Sequence, residues 1–336
     1  MTQPIDIAVI GATGTVGETL VQILEERNFP VGTLYLLAST ESAGSAVSFR
    51  GKNLRSRDVD DFDFAKVRLA FFAAGPAVTL SFAPRAQAAG CTVIDLSGAL
   101  PAEQAPAVVP EANPQVLDSL KAPATLHSPS AAAVALAVVL APLKNLLDLQ
   151  RVTVTASLAV SALGREAVSE LARQTAELLN ARPLEPRFFD RQMAFNLLAQ
   201  VGASDEQGHG LLERRLVREL RELLGLPLLK ISVTCVQVPV FFGDSYTVSL
   251  NASEAVDLAA VNKALDAAAS VERVEEGDYP TPVGDAVGQD VVYVGRVRSG
   301  IDEPQQLNLW LTTDNVRKGA GLNAVQLAEL LIKDLV

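Results

Sequence analysis

The apolar positions of the first hundred residues fall in short, nearly continuous runs that alternate with amphipathic segments of helical length. Such runs are typical of strands in a parallel sheet that is covered on both faces. The pattern therefore predicts a βαβ nucleotide-binding domain. Its strands are predicted at 5–10, 33–38, 69–73 and 92–96, and its helices at 16–27 and 78–89.

After residue 151 the apolar positions alternate along longer segments, which is the pattern of strands with one buried and one open face. Before them lies an alanine-rich run, 131–143, which predicts a buried helix because it is shorter than the roughly 20 residues that span a bilayer. We expect a second, α+β domain with a mostly antiparallel sheet and helices on one face. Its strands are predicted at 151–160, 229–240, 246–251 and 290–298, and its helices at 165–180, 211–224 and 255–269.

The last helix, predicted at 323–333, follows the glycine-containing turn 318–321 and is expected to pack back on the first domain. The chain is thus predicted to be an α/β protein with two domains. The N-terminal, Rossmann-like domain is predicted over 1–130 plus 319–336. The α+β domain is predicted over 131–318.

The charge balance narrows the set of partners. The chain has 336 residues, and 28 Lys and Arg against 39 Asp and Glu give a net charge of −11. This acidity disfavours nucleic acids and anionic membranes, which attract basic surfaces. Residues 1–4 lack the basic start of a secretory signal, so a cytoplasmic location is predicted.

Thiol and imidazole chemistry is restricted to two cysteines and two histidines, too few for a disulfide framework or a typical zinc cluster. No metal site is predicted. Cys91 lies at the start of the predicted strand 92–96 and Cys235 lies within the predicted strand 229–240, and both are interpreted as buried small hydrophobes. His209 lies in a polar loop and is interpreted as solvated. His127 lies at the predicted domain junction and is interpreted as structural or solvent-facing, with an acid–base role as the alternative.

A glycine-spaced turn over 11–17 joins the first strand to the first helix. Glycines allow a tight turn and close backbone approach to a pyrophosphate, while the helix N-terminus offers N–H groups. We predict that the turn binds a dinucleotide; the alternative is a turn that only connects the two elements. The candidate cofactor-binding residues are Gly11, Thr13, Gly14, Thr15, Val16 and Gly17.

The end of the second strand supplies Ser39, Glu41 and Ser42, where a domain of this type contacts the adenosine ribose. A carboxylate there accepts hydrogen bonds from ribose hydroxyls and repels a 2′-phosphate. Glu41 therefore favours NAD over NADP if either binds. The alternative is a solvated loop carboxylate.

Short motifs over nearly the whole chain carry a resemblance to a known family. They are Gly11–Gly17, Ala38–Gly44, Val93–Ser97, Val108–Asn113, Ala194–Asn196, Thr234–Val240, Tyr279–Pro282, Val294–Arg296 and Lys318–Gln326. The chain resembles the aspartate-semialdehyde dehydrogenases, and among them the Usg-type paralogues that lack the catalytic cysteine. The resemblance implies an NADP-linked oxidoreductase of amino-acid biosynthesis that interconverts aspartate semialdehyde and β-aspartyl phosphate, and a homodimer formed through the second domain.

In that family a cysteine thiolate attacks the substrate carbonyl, a histidine acts as base, a glutamine orients intermediates and arginines bind the anionic groups. The resemblance places the nucleophile at Ala131 and the glutamine at Leu158. It places the substrate arginine at Gln237 and the base at Asp244. None of the four can perform the family's role, so no catalytic residue is assigned.

The family's anion-binding positions are altered as well. Its phosphate-site arginine matches Pro101, and its 2′-phosphate arginine matches Glu41. Arg215 replaces the phosphate-binding lysine, and Glu219 keeps the substrate glutamate, although we favour a charged pair on an exposed helix for these two. The substrate-pocket candidates are Ser130, Arg215, Glu219 and His127.

Three hypotheses follow from these observations. The first is a protein without the family activity that binds NAD(P) and dimerises. The second is an oxidoreductase of altered chemistry in which Asp244 or His127 handles the proton. The third is a regulatory protein that associates with an active paralogue.

Overall fold

The structure is a computed structural model that describes the backbone of residues 3–335 and the side chains of residues 3–332. The chain divides into two compact units, one that runs to Ser130 and resumes at Ala320, and one from Ala131 to Gly319. Residues 1, 2 and 336, which the predicted first domain includes, lie outside the described residues. None of the helices described is long and apolar enough to cross a membrane.

The first unit is built on a six-stranded parallel sheet in the order β5-β2-β1-β6-β7-β8. This confirms the predicted nucleotide-binding architecture. The short strands β5 and β8 and a short antiparallel hairpin, β3–β4, were not predicted, because strands of this length show little alternation. The elements up to Ser130 are β1 (Ile5–Ile10), α1 (Thr15–Glu26), β2 (Val31–Ala38), β3 (Ala46–Phe49), β4 (Lys52–Arg55), β5 (Arg57–Asp58), β6 (Leu69–Phe72), α2 (Pro76–Ala88), β7 (Thr92–Asp95) and β8 (Thr125–His127).

Strand β1 shows why these apolar runs are continuous. Ile7 and Val9 pack into one hydrophobic cluster, and Ala8 and Ile10 pack into another. Successive side chains of a strand point to opposite faces, so both faces of the sheet are covered. A strand buried on both faces has no position where a polar side chain is favoured.

The second unit is built on a six-stranded mixed sheet in the order β10-β9-β11-β14-β13-β12. The β9–β11, β11–β14 and β13–β14 pairs are antiparallel, and the β9–β10 and β12–β13 pairs are parallel. The α+β prediction is confirmed, although β12 and β14 were not predicted. The elements are α3 (Ala131–Lys144), β9 (Leu149–Leu158), α4 (Arg165–Leu179), α5 (Leu211–Leu224), β10 (Lys230–Gln237), β11 (Asp244–Ala252), α6 (Leu258–Asp266), β12 (Val271–Arg273), β13 (Val292–Ser299) and β14 (Gln306–Thr313).

The alternation along β9 reflects a sheet with one covered face. Val152 and Val154 are buried, whereas Thr153 and Thr155 are exposed. Helix α3 is buried continuously from Ala132 to Ala141, as its apolar composition predicts.

The last helix, α7 (Asn323–Leu335), belongs to the first unit. Its apolar side chains share a hydrophobic cluster with Leu20 and Leu24 of α1. At the rim, Arg27 of α1 and Glu329 of α7 form an ion pair of 2.7 Å. The expectation that this helix returns to the first domain is confirmed.

Candidate dinucleotide site and family active-site positions

The glycine turn after β1 requires glycine at two of its positions. Gly11 has φ +80°, and a Cβ built there would lie 2.6 Å from the carbonyl oxygen of Ala73. A Cβ on Gly17 would overlap the carbonyl of Gly11 and lie 2.8 Å from Cα of Ala12. These close approaches hold the strand, the turn and the helix together.

The helix that follows the turn begins without a side-chain cap. Gly14 occupies the N-cap position, and its own N–H donates to the carbonyl of Gly11 at 3.0 Å. The first N–H groups of α1 have no intrahelical acceptor, as at any helix start. Thr13, Thr15 and Val16 are half-buried around these donors, so the turn can accept a pyrophosphate.

The end of β2 brings carboxylates together. Ser39 precedes a short 3₁₀ turn over Thr40–Ser42, on which the side chain of Glu41 is exposed. Asp58 of β5 pairs with Ala38 of β2, and a hydrogen bond from the Thr40 side chain lowers the pKa of Asp58. Sequence reasoning did not identify this second carboxylate, which is bonded to the residue before Glu41.

Asp95, at the carboxyl end of β7, is buried and forms hydrogen bonds to the loop that follows the strand. Asp95 Oδ1 accepts hydrogen bonds from the Ser97 N–H at 2.7 Å and the Ser97 hydroxyl at 2.6 Å, and Oδ2 accepts one from the Leu100 N–H at 3.2 Å. The carboxylate fixes the loop after the strand, at the edge where parallel sheets bind ligands.

His127 at the end of β8 is buried, and its Nδ1 lies 3.0 Å from the backbone oxygen of Asp95. A carbonyl oxygen only accepts, so this contact requires the proton on Nδ1. His127 is therefore buried rather than solvent-facing, and its acid–base alternative stays a prediction. Ser130, after β8, is half-buried.

In the second unit, Ala131 begins helix α3 and lies against Gly319. A Cβ built on Gly319 would lie 2.6 Å from Cβ of Ala131 and 3.0 Å from its Cα. The backbone of Gly319 therefore packs against the half-buried Ala131, at the position where the resemblance places a thiol.

Leu158 and Gln237 are direct neighbours in the β9–β10 ladder. The Gln237 side chain is 1% exposed, and its Nε2 donates to the backbone oxygen of Leu158 at 2.6 Å. The Oε1 atom of Gln237 is buried without a hydrogen-bond partner within the described structure. The amide thus ties two strand ends together.

Asp244 is fully buried at the start of β11. Its Oδ1 accepts from the Ala159 N–H at 2.8 Å, and its Oδ2 accepts from the Tyr246 hydroxyl at 3.1 Å. Burial raises the pKa of Asp244 to about 7, and the nearby charge of Asp314 acts in the same direction. Asp244, which the resemblance matches to the base, therefore accepts hydrogen bonds at both carboxylate oxygens from groups of its own unit.

Arg215 and Glu219 of α5 form the predicted charged pair, with 2.7 Å between Nε and Oε1. The pair is not on an exposed helix face, however. Glu219 is 1% exposed and Arg215 is 25% exposed, so the exposed-helix interpretation was wrong. The amphipathic pattern of α5 does not show that the pair is partly buried, because Glu219 is a charged residue on the otherwise apolar, buried side of the helix.

Family models match most of the chain. Residues 6–120 match the model described as semialdehyde dehydrogenase, NAD binding domain, and residues 140–318 match semialdehyde dehydrogenase, dimerisation domain. The chain belongs to the semialdehyde dehydrogenase family. The first model covers the glycine turn, and the second covers Leu158, Gln237 and Asp244.

Semialdehyde dehydrogenase relatives match over their full length. A USG-1 protein homolog of Azotobacter vinelandii is 62% identical over 333 residues and covers 99% of each chain. A structure of a probable aspartate-semialdehyde dehydrogenase from Pseudomonas aeruginosa has TM-score 0.96 at 60% identity and covers 98% of this chain and 99% of the other. Aspartate semialdehyde dehydrogenase II of Vibrio cholerae, complexed with ASA, has TM-score 0.95 at 38% identity and covers 99% of each.

The two thiols of this semialdehyde dehydrogenase family member are buried, as the sequence predicted. Burial raises the pKa of Cys91 to about 11 and that of Cys235 to about 12. Neither forms a useful thiolate near neutral pH. His209 is exposed, in agreement with the solvated interpretation. Within the described residues, no group of three or more His, Cys, Asp or Glu could hold a metal.

A buried polar network in the second unit was missed by sequence reasoning. Asn315 Oδ1 accepts from the Gly243 N–H at 3.0 Å, and its Nδ2 donates to the Ser161 hydroxyl at 3.0 Å. Asp314 accepts from the N–H groups of Gly288 and Val316. The only local signal is an Asp-Asn pair after a strand.

The first unit has a corresponding buried amide. Asn323, the first residue of α7, donates to the Ser128 hydroxyl at 2.8 Å and to the Val108 carbonyl at 3.2 Å. These hydrogen bonds join the start of α7 to the segments before and after β8. The partners are about 200 residues apart in sequence, so no local pattern predicts the contacts.

Proposed function

We propose that this semialdehyde dehydrogenase family member binds a nicotinamide dinucleotide but does not catalyse the acylating reaction of aspartate-semialdehyde dehydrogenases. One observation carries the proposal. At the positions that the resemblance assigns to nucleophile and base, Ala131 has no reactive group, and Asp244 is fully buried with both carboxylate oxygens accepting structural hydrogen bonds. The covalent route needs a thiolate and an accessible base.

Gln237, which the resemblance matches to the substrate arginine, also supports a loss of the family activity. Gln237 donates to the Leu158 carbonyl from within the sheet, so its amide nitrogen is engaged in joining β9 to β10. The family's bidentate recognition of a substrate carboxylate requires a guanidinium, which an amide does not replace. Substrate binding of the family type is therefore expected to be weak.

For the cofactor we propose NAD in preference to NADP. Glu41 is exposed at the end of β2, and the carboxylate of Asp58 lies on the adjacent strand. Two negative charges near the ribose position would repel a 2′-phosphate, while a carboxylate accepts hydrogen bonds from ribose hydroxyls.

We further propose that the chain forms a homodimer through the open face of the second sheet. Uncharged residues lie in register across its central strands, Thr153 beside Ser249 and Ser249 beside Asn308, while the charged Arg151, Lys230 and Arg298 lie on the same face around them. A central polar, uncharged region is suited to an isologous contact between two copies. The match of this region to a dimerisation domain supports it.

The test is a calorimetric titration with NAD and with NADP, followed by an assay with aspartate semialdehyde and phosphate. We expect NAD to bind more tightly than NADP and nicotinamide absorbance to stay constant. Turnover near the median enzyme rate of about 10 per second would refute the loss of activity. Equal failure of both cofactors to bind would refute the cofactor part alone.

The intact glycine turn favours a second candidate, an oxidoreductase that transfers hydride without a covalent intermediate. His127 and Asp244 are its candidate proton carriers, but both are buried and hydrogen-bonded within their own units. A panel of aldehydes and ketones tested at saturating NAD would support this candidate if any substrate changes the nicotinamide absorbance.

Association with an active paralogue remains a third proposal. The same open sheet face would form the mixed contact, because homodimer and heterodimer would share the dimerisation region. Subunit exchange with an active family member, followed by mass spectrometry of the intact complexes, would detect mixed dimers. A homodimer that never exchanges would contradict the proposal.

A further inference from the structure

The loop that carries Glu41 follows β2 and contains one short turn, Thr40–Ser42. Within the loop, the turn is closed by a hydrogen bond from the Ser42 N–H to the Ser39 carbonyl at 2.9 Å. This local bond shapes the turn but does not fix where it lies relative to the sheet. The position of the Glu41 carboxylate therefore depends on contacts from a neighbouring segment.

Ser56, the residue before β5, holds the end of this loop that follows Glu41. Ser56 is 4% exposed, and its hydroxyl donates to the Ser42 carbonyl at 2.9 Å. Its backbone carbonyl accepts from the Gly44 N–H at 2.9 Å, and its N–H donates to the Ser45 carbonyl at 2.8 Å. Three hydrogen bonds from one buried residue fix this end of the loop.

Asp58 of β5 holds the end of the loop that precedes Glu41. It pairs with Ala38 in the parallel ladder. Its side chain accepts hydrogen bonds from the Thr40 side chain and from the Asp60 N–H, and the first of these is the larger cause of its lowered pKa. A hydrogen bond to an ionised carboxylate is stronger than one between neutral groups. The Thr40 side chain thus ties the turn to the sheet at the residue next to Glu41.

Two arginines near β5 contact other parts of the fold. Arg55 Nη1 donates to the Gly44 carbonyl at 3.0 Å. The guanidinium carbon of Arg57 lies 5.5 Å from the centre of the Tyr35 ring. Neither contact involves the Thr40–Ser42 turn, whose charge is negative.

We propose that Asp58, through its hydrogen bond to Thr40, is a positioning residue that holds the Glu41 carboxylate at the end of β2, where a domain of this type contacts the adenosine ribose. The inference rests on the proposed preference for NAD. If the bond is lost, NAD loses hydrogen bonds to its ribose hydroxyls and NADP meets less repulsion, so the ratio of the two affinities changes. General damage to the domain would weaken both cofactors alike.

Calorimetric titration of the full chain with NAD and with NADP tests the proposal. Thr40→Val keeps the side-chain shape and removes the hydroxyl. We expect it to raise the NADP-to-NAD affinity ratio about threefold, the effect of losing one ordinary hydrogen bond. Thr40→Ser keeps a hydroxyl and should retain the ratio of the parent. Thr33→Val, the same change at an exposed position near the start of β2, should also retain it.

Two double-mutant cycles show whether Thr40 acts through the proposed partners. Thr40→Val should shift the ratio no further in a protein that already carries Asp58→Ala, or in one that carries Glu41→Gln. The proposal is overturned if Thr40→Val leaves the ratio of the parent unchanged, or if its effect persists in either background. A parent without a preference for NAD refutes the cofactor proposal and this one together, whereas failure of the variants alone refutes only the role of Asp58.

Discussion

The two units differ in whether the polar groups at their strand ends are free or hydrogen-bonded within the fold. In the first unit, the turn at Gly11–Gly17 leaves the N–H groups at the start of α1 available. In the second, the side chains of Gln237 and Asp244 turn inward and form hydrogen bonds to neighbouring strands. The polar side chains of Gln237 and Asp244 are therefore part of the core of the second unit, whereas the helix start in the first unit has no side-chain cap.

The largest expected effect comes from Gly17→Ala, which tests the first half of this contrast. Its Cβ would overlap the Gly11 carbonyl, so we expect a loss of about 2 kcal/mol in the free energy of unfolding. Dinucleotide affinity should fall at least tenfold, because the turn must move. Urea unfolding and calorimetry measure the two effects.

Gly14→Ala is the matched control for that variant. A Cβ there would lie 3.3 Å from its nearest atom, so the stability loss should be clearly smaller. Equal losses for the two variants would contradict the packing argument for the turn.

A pH-dependent effect is expected at Asp244, in the second half of the contrast. Its pKa is about 7 in the folded protein, above the ordinary value of 3.8. The folded state therefore binds more protons between these values, and Asp244 makes the protein lose stability as pH rises from about 4 to 7. The slope from this group is at most about 1.4 kcal/mol per pH unit.

Asp244→Asn should remove that slope while keeping the residue's shape. Urea unfolding of both proteins at several pH values gives the comparison. Identical pH dependence in the variant and the parent would mean that Asp244 does not titrate in this range.

Much of the first unit could be predicted because its signals are local. The glycine turn, the apolar strand before it and the helix after it lie within about 20 residues. The hydrogen bonds of the residues that the resemblance matches to catalytic positions could not be predicted in this way. Asp244 binds the backbone of Ala159, and Gln237 binds that of Leu158, across 85 and 79 residues. No local pattern shows whether a polar side chain faces a ligand or a strand.

A smaller change is expected at the adenosine end of the cofactor site. Glu41→Arg replaces repulsion of a 2′-phosphate with attraction, so the NADP-to-NAD affinity ratio should rise about tenfold, or about 1.4 kcal/mol. Calorimetry with both cofactors measures the ratio. Glu254→Arg, the same charge change at an exposed residue of the second unit, should leave it unchanged.

The smallest effect is expected from Gln237→Met, which nearly conserves the side-chain volume. The variant loses one hydrogen bond and also removes a buried oxygen that has no partner. The free energy of unfolding should change by about 1 kcal/mol or less, with cofactor affinity unchanged. A loss above about 3 kcal/mol would show that the amide has a larger structural role.

The central claim is that the scaffold is intact while the catalytic positions are disabled. It is tested most directly by turnover of aspartate semialdehyde in the fourfold variant Ala131→Cys, Leu158→Gln, Gln237→Arg, Asp244→His, compared with the parent at saturating cofactor and phosphate. The account predicts nicotinamide reduction by the variant and none by the parent. Equal turnover by the two proteins would contradict it.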